Sequence, residues 1–422
     1  MPAASAPSLP NRWTIAWAAV AMQMCLGIIY AWAVFRSPLE QAYGWSKTMS
    51  IAPYRWSILF FTLAMIVAGF WQDRKGPRLV GSVGGFLLGA GCLLAAVTGA
   101  SHDGLVFSYG VVAGLGVGFA YVTPIATCVK WFPDKRGMVV GLAVMGFGMG
   151  SLIFAPLLEA LIGKDPTQFA VTLPRTFLIL SAIFFVGVIG CAQFYRVPPA
   201  GWKPEGWVPN AALAAAAARA ERGPAQMLRT WQFWAVWVVY FLASSVGLTA
   251  IGEAAPLVRE LAGASMAMTA GTALGVMSLF NGIGRLAWGA LSDRAGHRAA
   301  LLGAAAIATF TCSMVLPGAS SFGRVLTGLC LVGFCYGGAL AVMPSITAAY
   351  YGPRHIGANY GLLFTAWGAA GFVVPRYCAS IIQDAKAAGQ LAAGYDRVFY
   401  TLAALAAMGV VVAMFVRRPD EA

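Results

Sequence analysis

Charge is scarce in this sequence. Lys, Arg, Asp and Glu make up 10% of its 422 residues, whereas a soluble domain carries roughly 25%. Such a chain cannot cover a water-facing surface, and its solvent must be mostly lipid. Histidine is scarcer still: His102, His297 and His355 all fall in loops or at helix ends. The eight cysteines form no CxxC pair and join no His–Cys cluster with metal spacing. They read as small apolar fillers, so no metal and no cofactor is expected. No ATP-binding loop and no nucleophile–base set appears, which argues against an enzyme. Glycine-rich runs such as "GFGMGS" (146–151) lack a preceding strand and sit in apolar sequence, so they are not nucleotide loops.

What the chain does contain is long apolar runs. It is 59% hydrophobic, with a mean hydropathy of +0.74. A spanning helix needs about 20 apolar residues. The hydropathy predicts twelve such spans, at 13–36, 53–72, 79–100, 105–130, 138–162, 172–196, 231–252, 267–291, 299–317, 322–350, 357–383 and 395–416. The runs are continuous rather than alternating, so helices are expected and not a barrel. The first run is too long for a cleaved signal peptide and leads into the charged turn "FRSPLEQ".

The net charge of +13 does not signal nucleic acid. With both termini placed inside, 17 of the 28 Lys and Arg fall on inner segments and 10 on outer ones. That is the positive-inside bias of a multi-pass protein of the cell membrane with cytoplasmic termini. The working unit is expected to be a monomer.

A repeat runs through the chain at an offset of 220. "GFWQDRKGPR" begins at Gly69 and "GALSDRAGHR" at Gly289; Asp73, Arg74, Gly76 and Arg78 match Asp293, Arg294, Gly296 and Arg298. The same offset carries Gly118 to Gly338, Pro124 to Pro344, Gly137 to Gly357 and Gly141 to Gly361. The chain therefore reads as an all-α membrane protein of two pseudo-symmetric six-helix bundles, 1–196 and 231–422. A polar, Ala/Pro-rich cytoplasmic linker with one short helix joins them at 197–230. Duplicated halves suit alternating access, with a central site between them.

The motif Gly-x-x-x-Asp-Arg-x-Gly-x-Arg, present twice, resembles the signature loop of the major facilitator superfamily. "GIIYAWAVFRSPL" (27–39), "WFPDKRGMVVGLAVMGFGMGS" (131–151), "RTWQFWAVW" (229–237) and "FNGIGRLAWGALSD" (280–293) are similar to the bacterial oxalate:formate antiporter family, which is related to the monocarboxylate porters. The resemblance implies the major facilitator fold and transport of small carboxylates. It also implies that the signature loops gate the inner face. Asp73 and Asp293 sit at helix C-termini, where the dipole disfavours an anion. Each must be stabilised by its Arg neighbours (Arg74, Arg78; Arg294, Arg298) or by a helix N-terminus in the opposite half. The competing reading makes these loops topological anchors only.

Arg285 is the least expected residue. It lies in an apolar helix with no carboxylate nearer than Asp293. Eight residues at about 1.5 Å each place it roughly 12 Å above the inner boundary, close to the midplane. A central Arg costs on the order of 2.5–3.5 kcal/mol by translocon scales. Snorkelling is the alternative, but this depth is too great for it. A guanidinium forks onto a carboxylate through two parallel hydrogen bonds, so the missing partner is read as cargo. Asn281, one turn away on the same face, suits a hydroxyl or keto group beside that carboxylate.

The resemblance adds that related porters often carry Asp where this chain has Asn281, a departure that argues against a built-in Asp–Arg proton switch. Oxalate exchangers carry a second basic residue in the eleventh span, at the position aligned with Trp367. One fixed cation favours a monoanion such as lactate or pyruvate. Tyr121 and Tyr336 are candidate wall residues because a phenol in lipid needs a partner. The resemblance places Tyr30, Tyr336, Phe364 and Trp367 along the cavity, although core packing explains any single aromatic as well. Acidic residues fall at span ends or in loops, so three energy sources remain open. The substrate carries its own proton, Glu253 shuttles one, or anions are exchanged. Proton-linked uptake is the favoured reading and an oxalate/formate-type exchanger the alternative.

Overall fold

The computed structural model describes residues 11–199, 201–207, 221–261 and 267–419. Among these residues the regular structure is entirely helical. Helix α1 (Arg12–Leu26) continues through a 3-10 stretch, Gly27–Ala31, into α2 (Ala33–Tyr43). There follow α3 (Lys47–Lys75), α4 (Pro77–Thr98) and α5 (His102–Leu105), which leads through the π-helical Val106–Ala113 into α6 (Gly114–Trp131). Helices α7 (Arg136–Ile162) and α8 (Phe169–Ala192) complete the first set. A short α9 (Pro224–Leu228) precedes α10 (Trp231–Leu261), α11 (Ala267–Ala295), α12 (His297–Phe310) and α13 (Phe322–Tyr351). Then come α14 (Ile356–Leu363), α15 (Thr365–Ala387) and α16 (Leu391–Phe415). The Ala-rich linker run 211–220 lies outside the described residues.

Every expected apolar run is helical, but the runs are not equally apolar. Among the described residues, ten helical segments are long and apolar enough to cross a membrane. The other two expected spans are α11 and the α14–α15 pair. Both carry polar or charged residues within the helix: Asn281, Arg285 and Asp293 in the first, Arg376, Asp384 and Lys386 in the second. The second is also broken at Phe364.

Burial is inverted relative to a soluble protein. Val97, Val171 and Val186 are 80%, 66% and 76% exposed, whereas Gln23, Asn281, Asn359 and Arg285 are at most 3% exposed. Apolar side chains outside and polar ones inside fit a multi-pass membrane protein, because lipid solvates the first group and cannot solvate the second.

Within the first bundle α4 packs on α6 and α8, α3 on α6, and α1 on α7; within the second α11 packs on α13, α10 on α13 and α15, and α12 on α16. The bundles meet chiefly through α7 against α11 and α3 against α14. The repeat is visible in the backbone: Gly76 and Gly296 cap α3 and α11 with φ of 86° and 88°, a region that only glycine enters freely.

Candidate substrate site and the paired loop contacts

Ser278, Asn281 and Arg285 stand at i, i+3 and i+7 of α11, so the helical period puts them on one face. That face is turned to α7 of the opposite bundle. Arg285 is fully buried. Its Nε donates to Asn281 Oδ1 at 3.0 Å, and its Nη1 donates a short hydrogen bond to the Val144 carbonyl. Asn281 is oriented in turn by donating from Nδ2 to the Gly333 carbonyl at 3.1 Å. The guanidinium carbon lies 5.8 Å from the centre of the Phe147 ring. Its Nη2 has no hydrogen-bond partner among the described residues, and none of their carboxylates forms a salt bridge with it. The head group therefore does not snorkel; it is held against the other bundle with one edge unused.

Gly148 explains how α7 comes so close. A Cβ there would sit 2.8 Å from Asn281 Oδ1 and 3.2 Å from Arg285 Nε. Beside it is a cavity of about 20 Å³, lined by Tyr30, Gly148, Ser151, Ile251, Met277, Ser278 and Asn281, which is room for about one water. Ser151 and Ser278 bridge the bundles there, Oγ to Oγ, at 3.4 Å. The Tyr30 hydroxyl is enclosed, with Arg285 and Tyr336 its polar neighbours, and forms no hydrogen bond with the described residues. Tyr30 lies in the 3-10 stretch after α1, and its ring meets Phe147 edge-on at 5.0 Å.

Trp367 Nε1 donates to Tyr336 Oη at 2.7 Å, which pairs two of the expected wall residues and satisfies the Tyr336 phenol. Phe364 stacks on Trp367 at 4.9 Å and meets Tyr121 at 5.3 Å. Phe61 touches Tyr121, Phe147, Phe364 and Trp367. All seven sequence candidates thus lie in one connected cluster around Arg285. Sequence reasoning passed over Phe61, Phe147, Gly148, Tyr240 and Tyr360. For the last two the signal was present: each is a phenol in an apolar run, the criterion that singled out Tyr121 and Tyr336. Glu253 lies elsewhere, on a second cavity of about 20 Å³ inside the second bundle, with Thr249 and Tyr395.

The signature aspartates face helix N-termini across the bundle boundary. Asp293 accepts from the Gly137 and Met138 N–H groups, both at 2.8 Å, at the start of α7. Asp73 accepts from Gly357 at 3.3 Å and Ala358 at 2.9 Å, at the start of α14, and Lys130 Nζ lies 3.4 Å from it. The two contacts are each other's equivalents at the offset of 220. The unpaired N–H groups of a helix start carry partial positive charge, which offsets the poor position of each Asp at its own helix end. A side chain at Gly137 would overlap the Gly289 carbonyl, and one at Gly357 the Gly69 carbonyl. Hence all four positions are glycine.

The motif arginines take no part in these contacts. Arg74, Arg294 and Arg298 are exposed, and Arg78 Nη2 donates to the Gln193 carbonyl of its own bundle at 2.9 Å. Burial pushes the Asp293 carboxyl above the ordinary value, against the lowering effect of its two N–H bonds and Arg136. The linker also docks here: Arg222 N–H donates to the Tyr351 carbonyl at 3.1 Å, and Asn359 Nδ2 to the Arg222 carbonyl at 3.0 Å.

Two bundles closing over a polar centre inside a lipid-facing shell make this a multi-pass membrane transporter. The chain belongs to the Major Facilitator Superfamily, whose profile matches residues 9–375. It is 28% identical over 374 residues to the oxalate:formate antiporter of Oxalobacter formigenes, covering 85% of this chain and 82% of that one. It is 30% identical over 358 residues to apicoplast pyruvate carrier 1 of Toxoplasma gondii, covering 72% and 64%. Among solved structures it superposes on the human organic anion transporter MFSD10 with a TM-score of 0.74 at 16% identity, covering 96% and 100%. On FucP in its outward conformation the TM-score is 0.66 at 15% identity, covering 95% and 98%. At these identities the two structures speak for the fold.

Proposed function

We propose that this protein is a secondary active transporter of small monocarboxylates of the lactate and pyruvate type, moved by alternating access together with a proton. The observation that carries the reading is Arg285: a buried, permanently charged fork whose Nη2 has no partner among the described residues, facing the opposite bundle beside a small cavity. A carboxylate there completes the hydrogen bonding of Nη2, while Asn281 and Tyr30 meet a hydroxyl or keto oxygen. Trp367 presents an indole already committed to Tyr336. The site therefore offers one cation, enough for a monoanion and one short for a dicarboxylate. The resemblance to a pyruvate carrier supports this reading.

In this reading residues 1–196 and 231–422 are the two moving bundles and 197–230 the linker. The protein lies in the cell membrane with the latch end and both termini in the cytoplasm. Asp73 and Asp293 hold the inner face closed. Among the described residues no acid at the central site competes for the proton, so it enters with the substrate.

The oxalate:formate antiporter among the relatives favours a second reading, anion exchange. Reconstituted protein and a competition series of C1–C4 acids against labelled lactate separate the two. Proton-linked uptake proceeds into substrate-free vesicles under a pH gradient. Exchange requires an internal counter-anion, with oxalate or formate outcompeting lactate.

A further inference from the structure

Phe364 occupies the break between α14 and α15. Its ring is enclosed by Phe61, Tyr121, Tyr240, Tyr360 and Trp367, at centroid distances of 5.2, 5.3, 6.2, 5.8 and 4.9 Å. Phe61 and Trp367 belong to the wall around Arg285. The other three are phenols, and their hydroxyls are mutual neighbours, with Tyr360 between Tyr121 and Tyr240. Tyr240 and Tyr360 are 0% and 1% exposed, yet neither hydroxyl has a hydrogen-bond partner among the described residues. Buried phenols ordinarily find a partner. Here the two hydroxyls have each other and Tyr121 as polar neighbours, without a well-formed hydrogen bond, and a ligand oxygen would serve them better.

The chain connects this cluster to the latch. Asp73 holds the N–H groups of Gly357 and Ala358. Tyr360 is two residues further along α14, and Phe364 ends the same short helix. Tyr360 and Phe364 thus sit on the one short helix whose start Asp73 ties to α3.

We infer that Tyr121, Tyr240 and Tyr360 form a second, inner subsite for the carboxylate cargo, closed by Phe364 here and uncovered when the inner latch opens. Phenol hydroxyls donate to a carboxylate without carrying charge, so the subsite holds the anion more weakly than Arg285 does and passes it to the inner solution. This inference rests on the carboxylate reading above.

The test uses the full-length protein in membrane vesicles of both orientations, with labelled lactate and pyruvate as probes. Tyr240→Phe/Tyr360→Phe keeps both rings and removes both hydroxyls. It raises the inner-face KM about fivefold, the size expected for lost neutral hydrogen bonds. The outer-face KM moves less than about twofold, and thermal stability does not fall. Each single variant shows part of the inner-face effect. An unchanged inner-face KM, or equal shifts on both faces, overturns the subsite while leaving the carboxylate reading intact. A parent protein that carries none of lactate, pyruvate, formate or oxalate overturns the carboxylate reading and the subsite with it.

Discussion

Arg285 and Asn281 are joined at 3.0 Å, Nε to Oδ1, one turn apart on α11. The amide, itself held by the Gly333 carbonyl, orients the guanidinium without neutralising it, because an amide carries no charge. The positive charge is kept while its geometry is fixed from within the helix.

Replacing the guanidinium is the most direct test. Arg285→Ala is expected to lower lactate uptake at least about 30-fold, since losing one partner of a buried charge pair costs about 2 kcal/mol or more. Arg285→Lys is expected to lose most uptake too, because an ammonium cannot supply the planar fork. Both proteins should reach the membrane in normal amounts. Full uptake by Arg285→Ala removes the site assignment.

Asn281→Asp places a carboxylate against the same Nε. The internal pair then competes with cargo at neutral pH, and uptake recovers as acid protonates the aspartate. A pH profile of initial rates measures this; a profile parallel to the parent's argues against contact between residue 281 and the cargo path.

Gly148→Ala leaves all charges in place and fills the space over them. Its Cβ would come within 2.8 Å of Asn281 Oδ1, so α7 and α11 must separate or the amide must turn. We expect weaker binding with little change in expression, measured as loss of the substrate-induced rise in melting temperature.

The latches make a symmetric prediction. Asp73→Ala and Asp293→Ala each free two helix-start N–H groups, a loss comparable to an N-cap, about 0.5–2 kcal/mol. Either change should shift the population toward the inward-open state, read as faster modification of a cysteine introduced beneath the latch. Arg74→Ala and Arg294→Ala should have the smaller effect, because neither guanidinium reaches the Asp contacts.

The pH response of the latch has a definite sign. Burial raises the Asp293 carboxyl in the closed state; when the face opens, hydration returns it toward its ordinary value. The closed state then binds the proton more tightly. Acidification through the range between the two values favours closure, and raising the pH removes that contribution. Glu221 at the linker end is raised by burial as well and adds in the same direction. Cysteine accessibility that increases on acidification would contradict this.

Much of the molecule was legible before folding. The apolar runs and the duplicated loops follow from hydropathy and a fixed offset, since lipid forces every span into a helix and duplication keeps its spacing. The isolation of Arg285 was legible for the same reason: a charge stands out where water is absent. The partners of Asp73 and Asp293 were only half legible. A helix-end dipole argument demanded a helix N-terminus or nearby arginines, and could not choose between them.

That choice belonged to tertiary structure. Gly137 against Gly289 and Gly357 against Gly69 bring backbones together and leave no room for the motif arginines between them. Likewise the covering of Arg285 by Val144, Phe147 and Gly148, and the approach of Tyr121 and Tyr240 to Phe364, join residues more than a hundred positions apart. Sequence by itself determined which segments enter the membrane and which charge they cannot solvate, because both depend on the local transfer of side chains from water to lipid. Which groups face that charge, and which hydroxyls remain unused, was decided only by how the two bundles meet, because hydrogen bonds across them depend on distances that no local pattern encodes.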